Sequence, residues 1–255
     1  MTRALWRIGG SVLTISLLAF GTLQVVSQVA YDRHRAAYAV APVVRVVDVR
    51  IDHGSIDVVG DPGTTTVQVH RDVERGLVHT SVSERVDGDT LVIRASCPFL
   101  SAHCNAHYRL DVPPAVRVVA HAEGDVRVSG VQGDVDARAG QGGVTLAGVG
   151  GRVDAHASQG SVRATGLRST AVDASASQGS VTLVFANDPS RVVARSSQGS
   201  VHVVVPRDHV PYRVDARASQ GSTDVGVPTD PASTRRVTAR SSQGGVTVTA
   251  ATGSP

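Results

Sequence analysis

The sequence predicts an all-β protein: a β-solenoid of stacked strand-turn-strand repeats, about 18–23 residues each, behind one N-terminal transmembrane helix. Three observations predict this class. The motif Ser-Gln-Gly recurs through the second half of the chain. Valine and alanine alternate with polar residues on both sides of the motif, which is typical of strands with one buried face. A single long, uncharged apolar stretch lies near the N-terminus.

The composition agrees with many short strands and narrows the chemistry. Aromatic residues make up 3% of the 255 residues and there are 26 glycines, which suits strands and tight turns better than helices. All 25 basic residues are arginine, which excludes chemistry that needs a lysine, such as a Schiff base or a phosphate-binding GK[ST] loop. The formal net charge of +3 is modest, so nucleic acid is not an expected partner.

The N-terminal segment predicts a membrane anchor. Residues 8–30 are uncharged and long enough for a helix that crosses the hydrocarbon core. Arg3 and Arg7 precede them, which favours a cytoplasmic tail at residues 1–7 and an extracytoplasmic remainder. A cleaved signal peptide is the alternative, with Ala37-Tyr38-Ala39 as its cleavage site. The charged run just before that site favours the uncleaved anchor.

The rest of the chain divides into four parts. We expect a linker at residues 31–42, an N-terminal β region at 43–118, the solenoid at 119–250 and a tail at 251–255. Within the β region, Asp87-Gly88 predicts a hairpin turn.

The two cysteines predict a local disulfide. Cys97 and Cys104 are close in sequence and would lie in an oxidising compartment. A zinc site is the alternative, formed by both cysteines with His103 and His107. Its spacing matches no standard metal-binding pattern, so the disulfide is favoured.

Six turns carry the repeat motif. Its glutamine and glycine lie at Gln141, Gln159, Gln178, Gln198, Gln220 and Gln243, and at Gly142, Gly160, Gly179, Gly199, Gly221 and Gly244. Stacking would align these residues in a structural turn ladder. We expect the glutamine amides to hydrogen-bond to one another along the stack. We expect the glycines to supply a positive φ angle.

The same register extends back to residues 47–58, so the pattern begins near residue 43. One unit departs from it by a single residue. Val118, Ala120 and Ala122 alternate out of phase with Gly124, which indicates either a bulge or a tighter turn.

The outward positions of the repeat form columns of charge. A column of aspartates runs beside a column that contains Arg138, Arg195, Arg217 and Arg240. On one interpretation, the alternating charges only keep this face soluble. On the other, the arginines bind anions of wall polymers or lipid headgroups. The first interpretation is favoured, and the excess of arginine in the last three units supports keeping the second.

The sequence carries no catalytic signature. The motifs G-x-S-x-G and H-E-x-x-H are absent, and the acidic residues are spread evenly through the repeat. We therefore expect no enzymatic activity, no cofactor and no catalytic metal.

The segments His53-Gly54-Ser55-Ile56 and Leu110-Asp111-Val112-Pro113, together with the serial x-Gly-[Ser/Asp/Gly]-Val turns, resemble a known family. It is the bacterial putative-adhesin family of membrane-anchored β-strand-repeat proteins, a domain of unknown function. The resemblance covers about residues 43–250. It implies an all-β extracytoplasmic solenoid and transfers no functional residue.

These observations together predict a non-enzymatic, single-pass membrane protein that displays its solenoid outside the cell membrane. The expected role is that of an adhesin or an envelope-surface binding or structural module. The expected partners are the membrane itself and a cell-wall polymer, an anionic lipid or an envelope protein. The alternative is an accessory ligand-binding sensor subunit in envelope-stress signalling. Such a sensor would need a partner in the membrane, because the predicted cytoplasmic tail is too short to hold a signalling domain.

Overall fold

The fold is built entirely from β-strands. The computed structural model describes residues 32–40, 44–75, 81–96, 104–206 and 210–251. Within these ranges the chain forms 21 strands and no helix, which confirms the all-β class. No described helix is long and apolar enough to cross a membrane.

Two predicted features cannot be located in this structure. The anchor at residues 8–30 lies outside the described ranges. The same holds for the disulfide, because Cys97 lies outside them and only the backbone of Cys104 is described.

The strands form two sheets that face each other. We number the strands in chain order and call the sheets A and B. In spatial order, sheet A contains β1 (Asp32–Val40), β4 (Val67–Arg75), β7 (Cys104–Val112), β3 (Gly54–Gly60), β9 (Val126–Ser129), β11 (Val144–Ala147), β13 (Val162–Leu167), β15 (Val181–Phe185), β17 (Val201–Val205), β21 (Val246–Ala250) and β19 (Thr223–Gly226). Sheet B contains β18 (Arg213–Ala218), β20 (Arg236–Ser241), β16 (Arg191–Ser196), β14 (Ala171–Ala176), β12 (Val153–Ala157), β10 (Val135–Ala139), β8 (Arg117–Ala122), β2 (Val46–Ile51), β6 (Thr90–Ser96) and β5 (Ser81–Asp87).

The alternation in the sequence places the core between the sheets. Each repeat contributes one strand to sheet B and the next to sheet A, and equivalent strands pair in parallel and in register. Val153 and Ala155 from sheet B and Val162 and Ala164 from sheet A are at most 1% exposed. One repeat has too little apolar surface to form a core alone, so neighbouring rungs must supply the rest. The predicted solenoid-like stack of repeats is therefore confirmed.

The unit that departs from the repeat contains a tighter turn and no bulge in its strands. Ala122 pairs with Ala139 in an unbroken register. Three residues connect Ala122 to Val126, whereas four connect Ala139 to Val144. Two successive backbone N–H groups of the longer turn donate to the carbonyl of Glu123, at 2.6 and 3.0 Å. The carbonyl of Glu123 therefore accepts both hydrogen bonds from the longer turn, and the shorter turn needs no additional residue.

The spatial order of the last two units is reversed relative to the sequence. A serial stack would place β20 and β21 at the end, but they are inserted between β16–β17 and β18–β19. Asp188 joins the three units here, because it accepts hydrogen bonds from Tyr212, just before β18, and from Arg235, both at 2.8 Å. Arg235 immediately precedes β20, so this contact holds β20 beside β16. The terminal rung is therefore β18–β19.

The N-terminal β region differs from the prediction in one place. The linker expected at residues 31–42 consists largely of β1, which pairs with β4 along all of its nine residues. The burial of Val40, at 6% exposed, explains why the segment is part of the sheet. The hairpin is confirmed, since Asp87 pairs with Thr90 and Gly88 has a φ of 61°.

The turn glycines have a different role from the predicted one. In the described residues, positive φ angles occur at other glycines: Gly54, Gly88, Gly130, Gly148 and Gly166. A positive φ was therefore the wrong explanation for the glycines of the repeat. A Cβ atom on any of the six repeat glycines, Gly142 to Gly244, would lie less than 3.0 Å from the backbone of the neighbouring turn. Glycine is required because the turns stack in close contact.

The predicted ladder of glutamine amides does not form. All six glutamine side chains are exposed, and none makes a hydrogen bond with another described residue. The backbone forms the ladder instead. The N–H of Gln178 donates to the carbonyl of Ser158 at 3.1 Å, and the N–H of Gln198 donates to that of Ser177 at 3.0 Å. The amides point into solvent, where water competes for their hydrogen bonds.

A polar cluster closes the N-terminal end of the core. Glu84 on the edge strand β5 accepts hydrogen bonds from Tyr38 at 2.6 Å, Arg71 at 2.9 Å and Tyr108 at 2.8 Å. These three partners belong to sheet A, so the carboxylate joins the two sheets. Burial, with the Glu84 hydrogen bond second, raises the pKa of both Tyr38 and Tyr108 above the ordinary value of 10.0.

We expect this cluster to make the fold sensitive to alkaline pH. A phenol whose pKa is raised by folding stabilises the fold fully below its unfolded pKa, near 10.0. The contribution is lost as the pH rises towards the folded value, because only the unfolded chain then releases the proton readily. Urea unfolding between pH 8 and 12 should show a free energy of unfolding that falls above about pH 10. The Tyr38→Phe variant should show a shallower fall, and an identical slope would contradict this role.

Candidate anion-binding face

The predicted charge columns exist on the outer face of sheet B. Arg195 on β16 pairs in register with Arg240 on β20, which pairs with Arg217 on β18. Arg138 belongs to the same column but lies on β10, with β12 and β14 between it and β16. The structure therefore brings three of the four predicted arginines together and leaves Arg138 apart.

A second arginine column runs beside the first on the same three strands. Arg191, Arg236 and Arg213 are neighbours at the start of β16, β20 and β18. We call the six residues the arginine face: Arg191, Arg195, Arg236, Arg240, Arg213 and Arg217. Adjacent strands lie about 4.8 Å apart, so each column holds three guanidinium groups within about 10 Å.

Loss of aspartate makes this region positive. The central column carries Asp136, Asp154 and Asp173 on successive rungs of the middle of the stack. On β16 and β20 the equivalent positions are Val193 and Thr238, which carry no charge. Asp215 is the one carboxylate among the outward positions of these three described strands. Six cations therefore surround one anion.

The middle of the stack has the opposite character. Partial burial, followed by the neighbouring carboxylates Asp136 and Asp173, raises the pKa of Asp154. Here the acids repel one another, whereas in the last three rungs the arginines do. Positive charge is therefore concentrated on the last three rungs.

Two carboxylates partly neutralise the arginine face. Asp215 contacts Arg240 at 2.6 Å and Arg217 at 2.9 Å, and Asp173 contacts Arg195 at 3.1 Å. The hydrogen bond from Arg240, aided by the charge of Arg217, lowers the pKa of Asp215. These arginine side chains remain 50 to 73% exposed. A guanidinium has five N–H donors, so one ion pair leaves most of them available to a ligand.

Serine hydroxyls border the arginines. A cavity of about 350 Å³ is lined by Arg195, Arg240 and Arg217 together with the motif serines Ser197, Ser242 and Ser219. These three serine side chains make no hydrogen bond with other described residues. Each serine directly follows its strand, two residues after the arginine, and is exposed. The sequence carries this signal as Arg-x-Ser at all three turns, although the turn motif by itself does not indicate that its serines border the arginines.

A second cavity, of about 640 Å³, was not predicted. It lies on the outer face of sheet A near the N-terminal end, and its lining includes Arg35, Asp57, His70, Asp72 and His107. The chain segments that form it are distant in sequence, so no local pattern indicates it. Four arginines line it, and each pairs with its own carboxylate at 2.7 to 3.4 Å: Arg35 with Asp72, Arg71 with Glu84, Arg109 with Asp111 and Arg127 with Asp125. The arginine face differs, because its ion pairs involve only the two carboxylates Asp173 and Asp215.

The described residues contain no group of three or more His, Cys, Asp or Glu side chains arranged to hold a metal ion. Of the four residues in the zinc alternative, only His107 has a described side chain. Its Nδ1 lies 2.7 Å from the hydroxyl of Ser55, and its Nε2 lies 3.1 Å from the side-chain amide of Asn105.

The fold and this face define a solenoid-like β-repeat protein with a charged outer surface. The family model described as Toastrack DUF4097 matches residues 117–254, which is more than half of the chain. The chain therefore belongs to the Toastrack DUF4097 family, and the family resemblance predicted from the repeat is confirmed.

Similar solved structures have low sequence identity to this chain. A putative adhesin from Parabacteroides merdae is 10% identical, with 85% of this chain and 96% of that chain covered and a TM-score of 0.45. A putative adhesin from Bacteroides fragilis is 12% identical, with 86% and 97% covered and a TM-score of 0.41. A putative cell adhesion protein from Clostridium sporogenes is 8% identical, with 86% and 100% covered and a TM-score of 0.36. No curated protein matches the chain.

Proposed function

We propose that the protein is a non-enzymatic, membrane-anchored extracytoplasmic module that binds an anionic polymer of the cell envelope through its arginine face. One observation carries the proposal: six arginines and a single aspartate occupy the outward positions of three adjacent strands. Exposed charge pairs ordinarily cover a sheet in balanced numbers. The surplus here, bordered by free serine hydroxyls, supports a binding role over a purely solubilising one.

The position of the face favours a polymer over the lipid of the protein's own membrane. The arginine face lies at the opposite end of the stack from β1. Sheet A contains eleven strands, so the two ends lie about 48 Å apart at the usual strand spacing. The predicted anchor precedes β1 directly. An erect stack therefore holds the arginine face well above the lipid headgroups.

The proposal predicts salt-sensitive binding that depends on this face. The protein should co-sediment with isolated cell wall, and the bound fraction should fall as salt is raised. Changing Arg195, Arg217 and Arg240 together to Ser should weaken binding about tenfold or more, because each basic side chain near an anionic surface contributes about 1 kcal/mol. Binding to vesicles of anionic lipid should be weaker than binding to wall.

A matched control keeps the change in net charge the same. Arg50, Arg127 and Arg138 also pair with aspartates and are 52, 53 and 48% exposed, but they lie outside the arginine face. Their triple Ser variant should bind wall nearly as well as the native protein. Equal losses in both variants would show that only net charge matters and would refute the face as a site. Preference for anionic vesicles over wall would contradict the polymer.

The sensor alternative stays a prediction from the sequence. It would require a stable partner in the membrane, which co-purification can detect.

A further inference from the structure

We propose that the terminal rung is a self-association site, where β18 and β19 of one copy pair antiparallel with β18 and β19 of a second copy. This inference is independent of polymer binding. It rests on three features of the end formed by β18 and β19: partly exposed core residues, outward-pointing backbone groups and the positions of the charged side chains.

The core is incompletely covered at this end. In the neighbouring rung, Val237, Ala239 and Val248 are fully buried. Their counterparts in the terminal rung are open to solvent: Val214 and Ala216 are only partly buried, and Val225 is 38% exposed. Terminal repeats of solenoids normally carry a polar cap that prevents this exposure. Among the described residues, the other end has such a cap, because Glu84 and its three partners close it.

The backbone of β18 also faces solvent along its outer edge. The N–H groups of Arg213 and Ser219 donate to carbonyls of the β20 strand region, at 2.8 and 2.9 Å. Because alternate residues of a strand point to opposite sides, the N–H and C=O groups of Val214, Ala216 and Ala218 point away from β20. Neither β18 nor β19 contains a proline that would protect this edge.

A short segment marks where the open edge begins. Residues 228–230 lie beside Tyr212, whose N–H donates to the carbonyl of Pro228 at 3.0 Å and whose carbonyl accepts from Asp230 at 3.0 Å. This covering stops one residue before β18. Among the described residues, the outward-pointing backbone groups of β18 from Val214 onwards have no hydrogen-bond partner.

The charges on β18 select one antiparallel register. If Ala216 faces Ala216 of the second copy, the inward residues remain inward and Val214 faces Ala218. The three outward-pointing pairs can then exchange six hydrogen bonds. In this register Asp215 faces Arg217 of the second copy, twice by symmetry, and opposite charges directly across a pair are favourable. The next symmetric register in one direction centres on Asp215 and places it against Asp215 of the second copy. The next one in the other direction places Arg217 against Arg217.

The same two-fold axis joins β19 to its copy. Ala216 and Val225 line one cavity at this end, so an axis normal to both sheets at Ala216 passes close to Val225. The bond from the N–H of Val246 to the carbonyl of Ser222, at 2.9 Å, directs the N–H and C=O of Val225 to the open side. Val225 would therefore pack against Val225 of the second copy. Such an isologous contact closes after two copies.

The dimer would have a defined shape. Two copies joined at these ends form a rod of about 100 Å, with residue 32 of each copy near opposite ends, so two erect stacks would have their predicted anchors in two facing membranes. The two arginine faces would meet in the middle of the rod and form one continuous surface across six strands of sheet B.

A charge swap tests the register. Full-length protein in density-matched detergent is studied by analytical ultracentrifugation, and the native chain should form a dimer. Asp215→Arg and Arg217→Asp should each weaken dimerisation roughly tenfold or more, because each puts like charges opposite each other twice. The double variant Asp215→Arg/Arg217→Asp should restore the native affinity, since the opposite charges face each other again.

Two further variants complete the test. Asp173→Arg makes the same change in the same column in the middle of the stack, and it should leave the dimer unchanged. Val225→Lys should give a monomer, because a charge would replace the apolar contact at the axis. A native monomer at every concentration overturns the proposal, as does a dimer that survives the single charge variants. Larger assemblies that grow with concentration also overturn it, because this contact closes at two copies.

Discussion

Replacing Gly179 with alanine is expected to lower the free energy of unfolding by about 3 kcal/mol. A Cβ atom at this position would lie less than 3.0 Å from the carbonyl of Gly160 and from the N–H of Ser161 in the neighbouring turn. Both obstacles are backbone atoms of a stacked turn, so they cannot move without disturbing the ladder of hydrogen bonds on either side. Urea unfolding followed by circular dichroism measures the change.

Gly245→Ala is the matched control for this prediction. Gly245 also lies in a repeat turn and also lacks a positive φ angle. Its Cβ atom would meet Ser222 at 3.4 Å and beyond, which is ordinary van der Waals contact. Its substitution should cost less than about 0.5 kcal/mol, or stabilise slightly by restricting the unfolded chain. Equal costs at the two positions would show that close stacking is not why glycine occupies the repeat.

The repeat in the sequence predicts which residues face inward but not the order of the rungs. Arg213 and Arg236 begin equivalent strands with nearly the same sequence, so the repeat alone allows either strand to pair in register with β16. Contacts outside the repeat join these units, such as those of Asp188 with Tyr212 and Arg235. Such a contact between loops has no periodic signal. The repeat therefore identifies the strands but not which of them ends the stack.

The candidate site was predictable in part for the same reason. Strict periodicity aligned Arg195, Arg217 and Arg240 in one column, and the structure has them there. The reversal of rung order changed which of them is central: Arg240 lies between the other two and contacts Asp215 of the terminal strand at 2.6 Å. The uncovered Val225 follows from the same reversal, because a serial stack would place β20 and β21 beyond it.

Glu84→Gln is expected to destabilise the fold by about 2–3 kcal/mol, although the two side chains have nearly the same shape. The carboxylate has four lone-pair sites and accepts from Tyr38, Arg71 and Tyr108 at once. The amide keeps one oxygen as an acceptor and presents donors to groups that are themselves donors. Arg71, at 27% exposed, would also lose its contact with a negative charge.

A second substitution separates charge from hydrogen bonding in this cluster. If the unpaired guanidinium causes most of the loss, the double variant Arg71→Met/Glu84→Gln should be less destabilised than the sum of the two single variants, by about 1 kcal/mol or more. Asp215→Asn removes a carboxylate from an exposed arginine pair and should cost less than about 1 kcal/mol. If Glu84→Gln costs no more than Asp215→Asn, the cluster does not hold the two sheets together. The N-terminal ends of the two sheets would then be held together by the apolar core alone.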